Sequence, residues 1–303
     1  MLWYESLDQK IKGYLPELEM ACDVPMHRHT SFRIGGPARR MAFPANAAQV
    51  AKLMELAQEC GVQPFVLGKG TNLLVADEGL DTLVIKLAEN MHEIRQLDEV
   101  TLEADAGISL ARLAVFAQQL GLSGLEFAHG IPGSLGGGVY MNAGAYGGEM
   151  KQVVTEVCAL CGTEVRTFSA EEAQFAYRHS VFCDNGAVVL SAKFRLTPDD
   201  PAAIKARMDD LIGRRKQSQP LEYPSAGSTF KRPTGYYAGP LIEQAGLKGF
   251  TVGGAQVSQK HAGFVINIGN ATCADVCELI RQVQEKVQAE AGVLLEPEVK
   301  IIR

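Results

Sequence analysis

The sequence predicts a mixed α+β protein of more than one domain, and three observations carry that reading. Helical and strand-like apolar patterns alternate along the chain with no internal repeat. The 303 residues suffice for two domains with a buried core. A turn-rich break, Thr197-Pro198-Asp199-Asp200-Pro201, marks a shift in composition and divides the chain into domains over 1–200 and 201–303.

The first element is an amphipathic helix over 2–20, with Leu2, Trp3, Leu7, Ile11, Tyr14, Leu15 and Leu18 as its apolar stripe. A helix over 47–60 stops at Gly61, and Pro64-Phe65-Val66-Leu67 then reads as a buried strand. Short runs at 82–85 and 100–104 read as strands, followed by a helix over 109–120. A hairpin pairs 153–159 with 164–168, and 187–196 is a further strand. Beyond the break come a helix to about 215, a Pro-bounded loop over 220–233 and a helix near 240–246. A strand at 263–268, a long helix over 272–291 and a terminal strand at 299–302 complete the order.

Hydrophobic residues make up 47% and charged ones 21%, ordinary usage that argues against disorder. Lys and Arg number 29 against 35 Asp and Glu, a net charge of −6 without any basic block, so nucleic acid is not the expected partner. The stretch 127–148 has no charged residue and is long enough to suggest a membrane span. Pro132 and eight glycines, Gly130 and Gly138 among them, mark it instead as backbone bending around a ligand. Glu5 and Asp8 near the N-terminus do not fit a secretory signal, so a cytoplasmic, non-membrane protein is expected. Seven scattered cysteines are expected to be reduced. Cys158 and Cys161, Cys273 and Cys277, and His27 and His29 are spaced like ligand pairs, but none has further ligands nearby and no metal is expected.

Two loops suit a phosphate. Gly68-Lys69-Gly70-Thr71-Asn72 follows a strand, where successive N–H groups can converge on an anion. It is neither a P-loop, since Gln63 and Gly70 occupy the required Gly and Ser/Thr positions, nor a dinucleotide fingerprint, since Leu73 replaces the third glycine. Gly130-Ile131-Pro132-Gly133-Ser134-Leu135-Gly136-Gly137-Gly138 excludes bulk and adds the Ser134 hydroxyl as a donor, and Asn142-Ala143-Gly144-Ala145 continues the small-residue theme. Two such loops, about sixty residues apart, favour a dinucleotide cofactor.

Together, the segments 68–74, 131–137 and Met141-Asn142-Ala143-Gly144-Ala145-Tyr146-Gly147 resemble the UDP-N-acetylenolpyruvoylglucosamine reductases. Phe175-Ala176-Tyr177-Arg178-His179-Ser180, Pro224-Ser225-Ala226-Gly227-Ser228-Thr229-Phe230-Lys231 and Leu295-Glu296-Pro297-Glu298-Val299 extend the resemblance over roughly 28–302. The resemblance implies an FAD-binding domain of the vanillyl-alcohol-oxidase (PCMH) type in two α/β subdomains, about 1–75 and 76–200. It also implies a smaller C-terminal α+β substrate domain whose terminal strand returns to the active site. FAD and NADPH are the implied cofactors, with FAD contacts at Gly68, Lys69, Gly70, Thr71, Asn72, Leu73, Ile131, Pro132, Gly133, Ser134, Gly136, Gly137, Asn142, Ala143 and Gly144. By motif position, Arg178, Ser228 and Glu298 are catalytic. Lys231 and Lys260 rank above Arg214 and Arg215, with His261, as cationic partners of a UDP-sugar diphosphate. The chain departs from the family at Arg232, commonly Asn, and at Gly138, often Ala, and it resembles the shorter subtype without a tyrosine-loop insertion.

The implied reaction passes hydride from flavin N5 to the enolpyruvyl double bond, leaving an enolate carbon that takes a proton. An enolate carbon is basic enough to accept the proton of Ser228 if geometry is held. The Arg178 guanidinium suits the charge gathering on the substrate carboxylate, and beside that carboxylate a neutral Glu298 would donate a hydrogen bond. Two other readings are an FAD-dependent alcohol oxidase of the same superfamily and a non-catalytic nucleotide-binding module. A monomer is the expected state.

Overall fold

The N-terminal apolar stripe folds as a helix over Trp3–Tyr14, shorter than the expected 2–20. Leu15 closes it, and Pro16, with no N–H to extend the ladder, turns the chain so that Glu19–Pro25 becomes a strand. This computed structural model describes residues 2–303, which divide into two units built from non-consecutive pieces. The first takes the chain up to Cys22, Arg40–Lys69 and Thr82–Gly213, and the second takes Asp23–Arg39, Gly70–Asp81 and Arg214–Arg303.

The break expected near 200 thus falls at Gly213, inside the helix Pro201–Ser218, and two early segments join the C-terminal unit. The reason is strand pairing. Leu73–Val75 forms a parallel ladder with the last strand, Lys300–Ile302, and Ala76 N donates to Ile302 O at 2.9 Å. Met26 N donates to Gly36 O, also at 2.9 Å, closing the 23–39 segment on itself. A composition shift marks a loop and carries no information about which distant strand will pair.

In the first unit a five-stranded antiparallel sheet runs in the order Glu164–Ser169, Val154–Cys161, Val188–Arg195, Thr101–Asp105, Ile94–Gln96. Its expected members form within a residue or two, while Ile94–Gln96, mostly exposed, gave no apolar signal. Asn46 caps the helix Ala47–Glu59 by accepting from Gln49 N, and Ser109 caps Leu110–Gln119 by accepting from Arg112 N at 3.2 Å. Phe182 and Phe194 are fully buried in this unit's core, each worth roughly 1.5–3 kcal/mol of burial.

The glycine-rich stretch is not loop throughout. It contains the short helix Leu135–Tyr140 and a tight pair of strands, Gly144–Ala145 with Gly148–Glu149. Glycine disfavours helix, but here Leu135 N donates to Ile108 O at 2.8 Å and Gly136 N to Ala106 O at 2.7 Å. Those bonds require the close approach that glycine permits: a Cβ on Gly136 would lie 2.9 Å from the Ala106 Cβ.

The second unit contains a four-stranded antiparallel sheet in the order Ser225–Ser228, Phe264–Asn267, Ala255–Val257, Thr251–Val252. Ser225–Ser228 lies inside the segment expected to be a loop, because Ser-Ala-Gly-Ser shows no apolar alternation and is extended only by its ladder to Phe264–Asn267. The helix Cys273–Ala291, capped by Thr272 onto Asp275 N at 3.0 Å, contributes Val276, Leu279, Ile280, Val283 and Val287 to the same core as Val257 and Val265.

No helix among the described residues is long and apolar enough to cross a membrane. Among them, too, no group of three or more His, Cys, Asp or Glu could hold a metal ion, and the seven cysteines are unbridged.

Candidate active site

In the first unit the strand Phe65–Leu67 delivers Gly68 and Lys69 against the start of the short helix. A Cβ on Gly68 would overlap the Ser134 hydroxyl, so the two predicted loops touch there. Ser134 is 3% exposed, yet its N–H has no acceptor among the described residues, nor do those of Lys69 and Gly137. Lys69 and Gly137 are exposed, so water can meet their N–H groups, whereas the buried Ser134 N–H is costly to leave unpaired and a bound anion relieves it. Ile131, Pro132 and Gly133 form the turn before them, with Gly133 N donating to Ile131 O at 2.8 Å.

Asn142, Ala143 and Gly144 serve the protein itself. Asn142 is 1% exposed, with both sides of its amide bonded to protein. Ala143 N donates to Gly138 O at 2.7 Å, and Gly144 pairs with Glu149. Arg178 is the second residue of a two-residue turn closed by Ala176 N to His179 O at 3.0 Å and His179 N to Ala176 O at 3.2 Å. Its φ of 55° is in the left-handed region, and its Nη2 donates to Gly144 O at 3.4 Å.

In the second unit Gly70 has a φ of 63°, and a Cβ there would overlap the His29 carbonyl oxygen, so this glycine is dictated by the backbone. Thr71 follows in the turn, and Leu73 starts the strand paired with the chain's last strand. Asn72 also binds protein: its Nδ2 donates to Glu298 O at 3.2 Å, and its O accepts from Lys300 N at 3.0 Å.

Ser228 ends its strand opposite Phe264. Glu298 N donates to Thr229 O at 2.7 Å and Lys231 N to Glu296 O at 2.8 Å, so the serine and glutamate motifs are zipped side by side. Ser228 Oγ donates to Phe230 O at 3.2 Å, a long bond that is readily exchanged. Before it, Gly227 has a φ of 78°, in the left-handed region that glycine adopts freely.

His261 lies beside this serine. A Cβ on Gly263 would sit 3.0 Å from His261 Cε1 and 3.5 Å from Ser228 Oγ. Burial holds the His261 pKa below its ordinary value, and its Nδ1 accepts from Gly263 N at 3.1 Å. The ring is therefore neutral near pH 7 and does not supply the positive charge expected of it. Lys231 pairs with Glu296 at 2.9 Å, and Lys260 donates to Lys216 O at 2.7 Å with Glu222 3.9 Å away. Arg214 and Arg215 lie in the last turns of the helix Pro201–Ser218. Arg232 lies over the Tyr237 ring at 3.9 Å and donates to Tyr236 O.

A family model for an FAD binding domain matches residues 38–165, and one for the C-terminal domain of UDP-N-acetylenolpyruvoylglucosamine reductase matches 219–302. The UDP-N-acetylenolpyruvoylglucosamine reductase of Agathobacter rectalis is 50% identical over 310 residues, covering 98% of each chain. The chain belongs to the UDP-N-acetylenolpyruvoylglucosamine reductase family. The reductase of Syntrophomonas wolfei is 47% identical over 97% of this chain and 98% of its own. The crystal structure of the reductase from Thermus caldophilus superposes with a TM-score of 0.79 at 35% identity, covering 95% of this chain and 99% of that one.

The fold is thus an FAD-binding domain of the expected type joined to the reductase C-terminal domain. The residues present fit FAD: unpaired N–H groups of Lys69, Ser134 and Gly137, in loops where Gly68 and Gly136 leave no room for side chains, match a pyrophosphate. Sequence reasoning missed Gly263, whose small size lets His261 and Ser228 crowd one point. Its flanking Ala262 and Phe264 gave it the look of an ordinary strand start.

Proposed function

We propose that Ser228, Arg178 and Glu298 carry the chemistry of an FAD-dependent oxidoreductase that reduces UDP-N-acetylglucosamine enolpyruvate to UDP-N-acetylmuramate, a precursor of peptidoglycan. Bound FAD, reduced by NADPH, supplies the hydride that adds to the enolpyruvyl double bond. Ser228 Oγ protonates the neighbouring carbon, and the observation that carries this role is a hydroxyl held only by a 3.2 Å bond to Phe230 O beside Gly263, which brings no side chain against it. Exchanging a 3.2 Å bond to Phe230 O for a carbon acceptor costs little.

Arg178 stabilises the charge that gathers on the substrate carboxylate, and its left-handed backbone supports a functional placement. Glu298, locked by its own N–H to Thr229 O, hydrogen-bonds the same carboxylate. Lys69, Ser134 and Gly137 hold the cofactor pyrophosphate through their N–H groups. Lys231 and Lys260 hold the substrate diphosphate, with Arg214 and Arg215 behind them. We place the protein in the cytoplasm, acting as a monomer, with the first unit binding cofactor and the second binding substrate.

The test is NADPH oxidation by purified protein with and without the enolpyruvyl sugar nucleotide, with products read by mass spectrometry. The reading expects oxidation only with that nucleotide and a product two hydrogens heavier. Oxidation that consumes oxygen and leaves the nucleotide unchanged would overturn it.

A further inference from the structure

The side chain of Asn142 is buried and fully engaged, although its motif lies among glycines suited to a cofactor. Its Oδ1 accepts from Lys151 N, and its Nδ2 donates both to Glu149 Oε2 and to Ala176 O, each at 2.9 Å. Ala176 is the first residue of the turn that presents Arg178. The other flank of that turn is anchored too: Ser180, fully buried, donates its hydroxyl to Tyr140 O at 2.7 Å. Both anchors belong to the end of the short helix Leu135–Tyr140, whose first turn carries the unpaired Gly137 N–H.

A left-handed arginine does not hold itself in place. Such a backbone costs on the order of 1–3 kcal/mol and persists only when its surroundings fix it. Here the closing bonds of the turn lie within four residues; outside it Val181 N donates to Ala173 O at 2.9 Å, and the side chains of Asn142 on one side and Ser180 on the other fasten it to the end of the short helix. Gly144 O, two residues beyond Asn142, receives the guanidinium itself.

We propose that Asn142 and Ser180 are positioning residues that fix Arg178 for the reductive step, and that the Asn142 amide is not a cofactor contact. This rests on the reductase reading. It makes the short helix a rigid spacer between the cofactor loop at its start and the arginine turn at its end.

Asn142→Asp tests this cleanly. Asp tolerates the φ of 42° as Asn does and keeps an acceptor for Lys151 N, but sets an oxygen against Ala176 O and Glu149. Ser180→Ala is the second, milder variant. We expect both to retain bound FAD and its reduction by NADPH, while oxidation by the enolpyruvyl nucleotide slows about 10²-fold in Asn142→Asp and less in Ser180→Ala. In an Arg178→Lys background each should add less than about twofold, because the anchors act through the arginine. Without any cofactor, amide exchange at Ala176 and His179 should quicken.

Loss of FAD, equal slowing of both half-reactions, full multiplicativity with Arg178→Lys, or unchanged exchange would each overturn the proposal. Failure of the unmodified enzyme to be oxidised by the nucleotide would instead overturn the reductase reading.

Discussion

In the first unit Arg178 stands at a left-handed turn fastened to the rest of the unit by the side chains of Asn142 and Ser180 as well as by its own main-chain bonds, whereas in the second Ser228 and Glu298 lie on extended segments bonded main chain to main chain. Backbone ladders require little of particular side chains, so the serine and glutamate motifs keep their mutual register whatever their exposed neighbours are. A turn offers few backbone partners, and its geometry is handed to buried polar groups. Single side-chain changes should therefore disturb the arginine readily. The serine should be disturbed mainly by its own loss or by added bulk beside it.

Replacing the reacting groups themselves has the largest effect. Ser228→Ala should lower oxidation of the reduced enzyme by the enolpyruvyl nucleotide about 10²–10⁴-fold and leave reduction by NADPH unchanged, read by stopped-flow absorbance. Normal turnover would show that the strand presents some other proton donor.

Bulk at the cofactor loop comes next. Gly136→Val places its branches where a Cβ already lies 2.9 Å from the Ala106 Cβ, and overpacking of this kind costs roughly 1–3 kcal/mol. The variant should purify with little FAD and a lowered Tm; full FAD content would mean that this helix does not shape the cofactor site.

Gly263→Ala sharpens the contrast on the serine side. Its methyl presses on His261 at 3.0 Å, and kcat should fall about tenfold with FAD content unchanged. A wild-type kcat would show that the crowding beside Ser228 has no catalytic role.

The smallest effect concerns pH. Burial keeps His261 neutral, so its NMR titration midpoint should lie below the ordinary 6.5. The unfolded ring takes up its proton first as pH falls. The contribution of this group to stability is thus complete above 6.5 and declines from there toward the lower folded pKa. A midpoint above 6.5 would restore His261 as a cationic substrate contact.

Much of this was legible in the sequence because its causes are local. Apolar runs announced the helices at 109–120 and 272–291, and the glycines around Ser134 announced a backbone that bulk cannot approach. The joint motifs carry the family resemblance by themselves. What escaped depended on distant partners. Ser225–Ser228 is a strand only because Phe264–Asn267 pairs with it, and residues 70–81 join the second unit through the chain's last strand. Asn72 and Asn142 sit in cofactor-like motifs, yet Glu298 O and Ala176 O, both far along the chain, take their amide protons. Spacing cannot tell an amide that meets a ligand from one that meets the backbone.

The most direct measurement is the visible spectrum of the purified protein under anaerobic conditions, taken before NADPH, after it, and again after UDP-N-acetylglucosamine enolpyruvate. Flavin bands that bleach with NADPH and return in full with the nucleotide are the expected result. Bands that bleach and return only when oxygen is admitted would contradict the account.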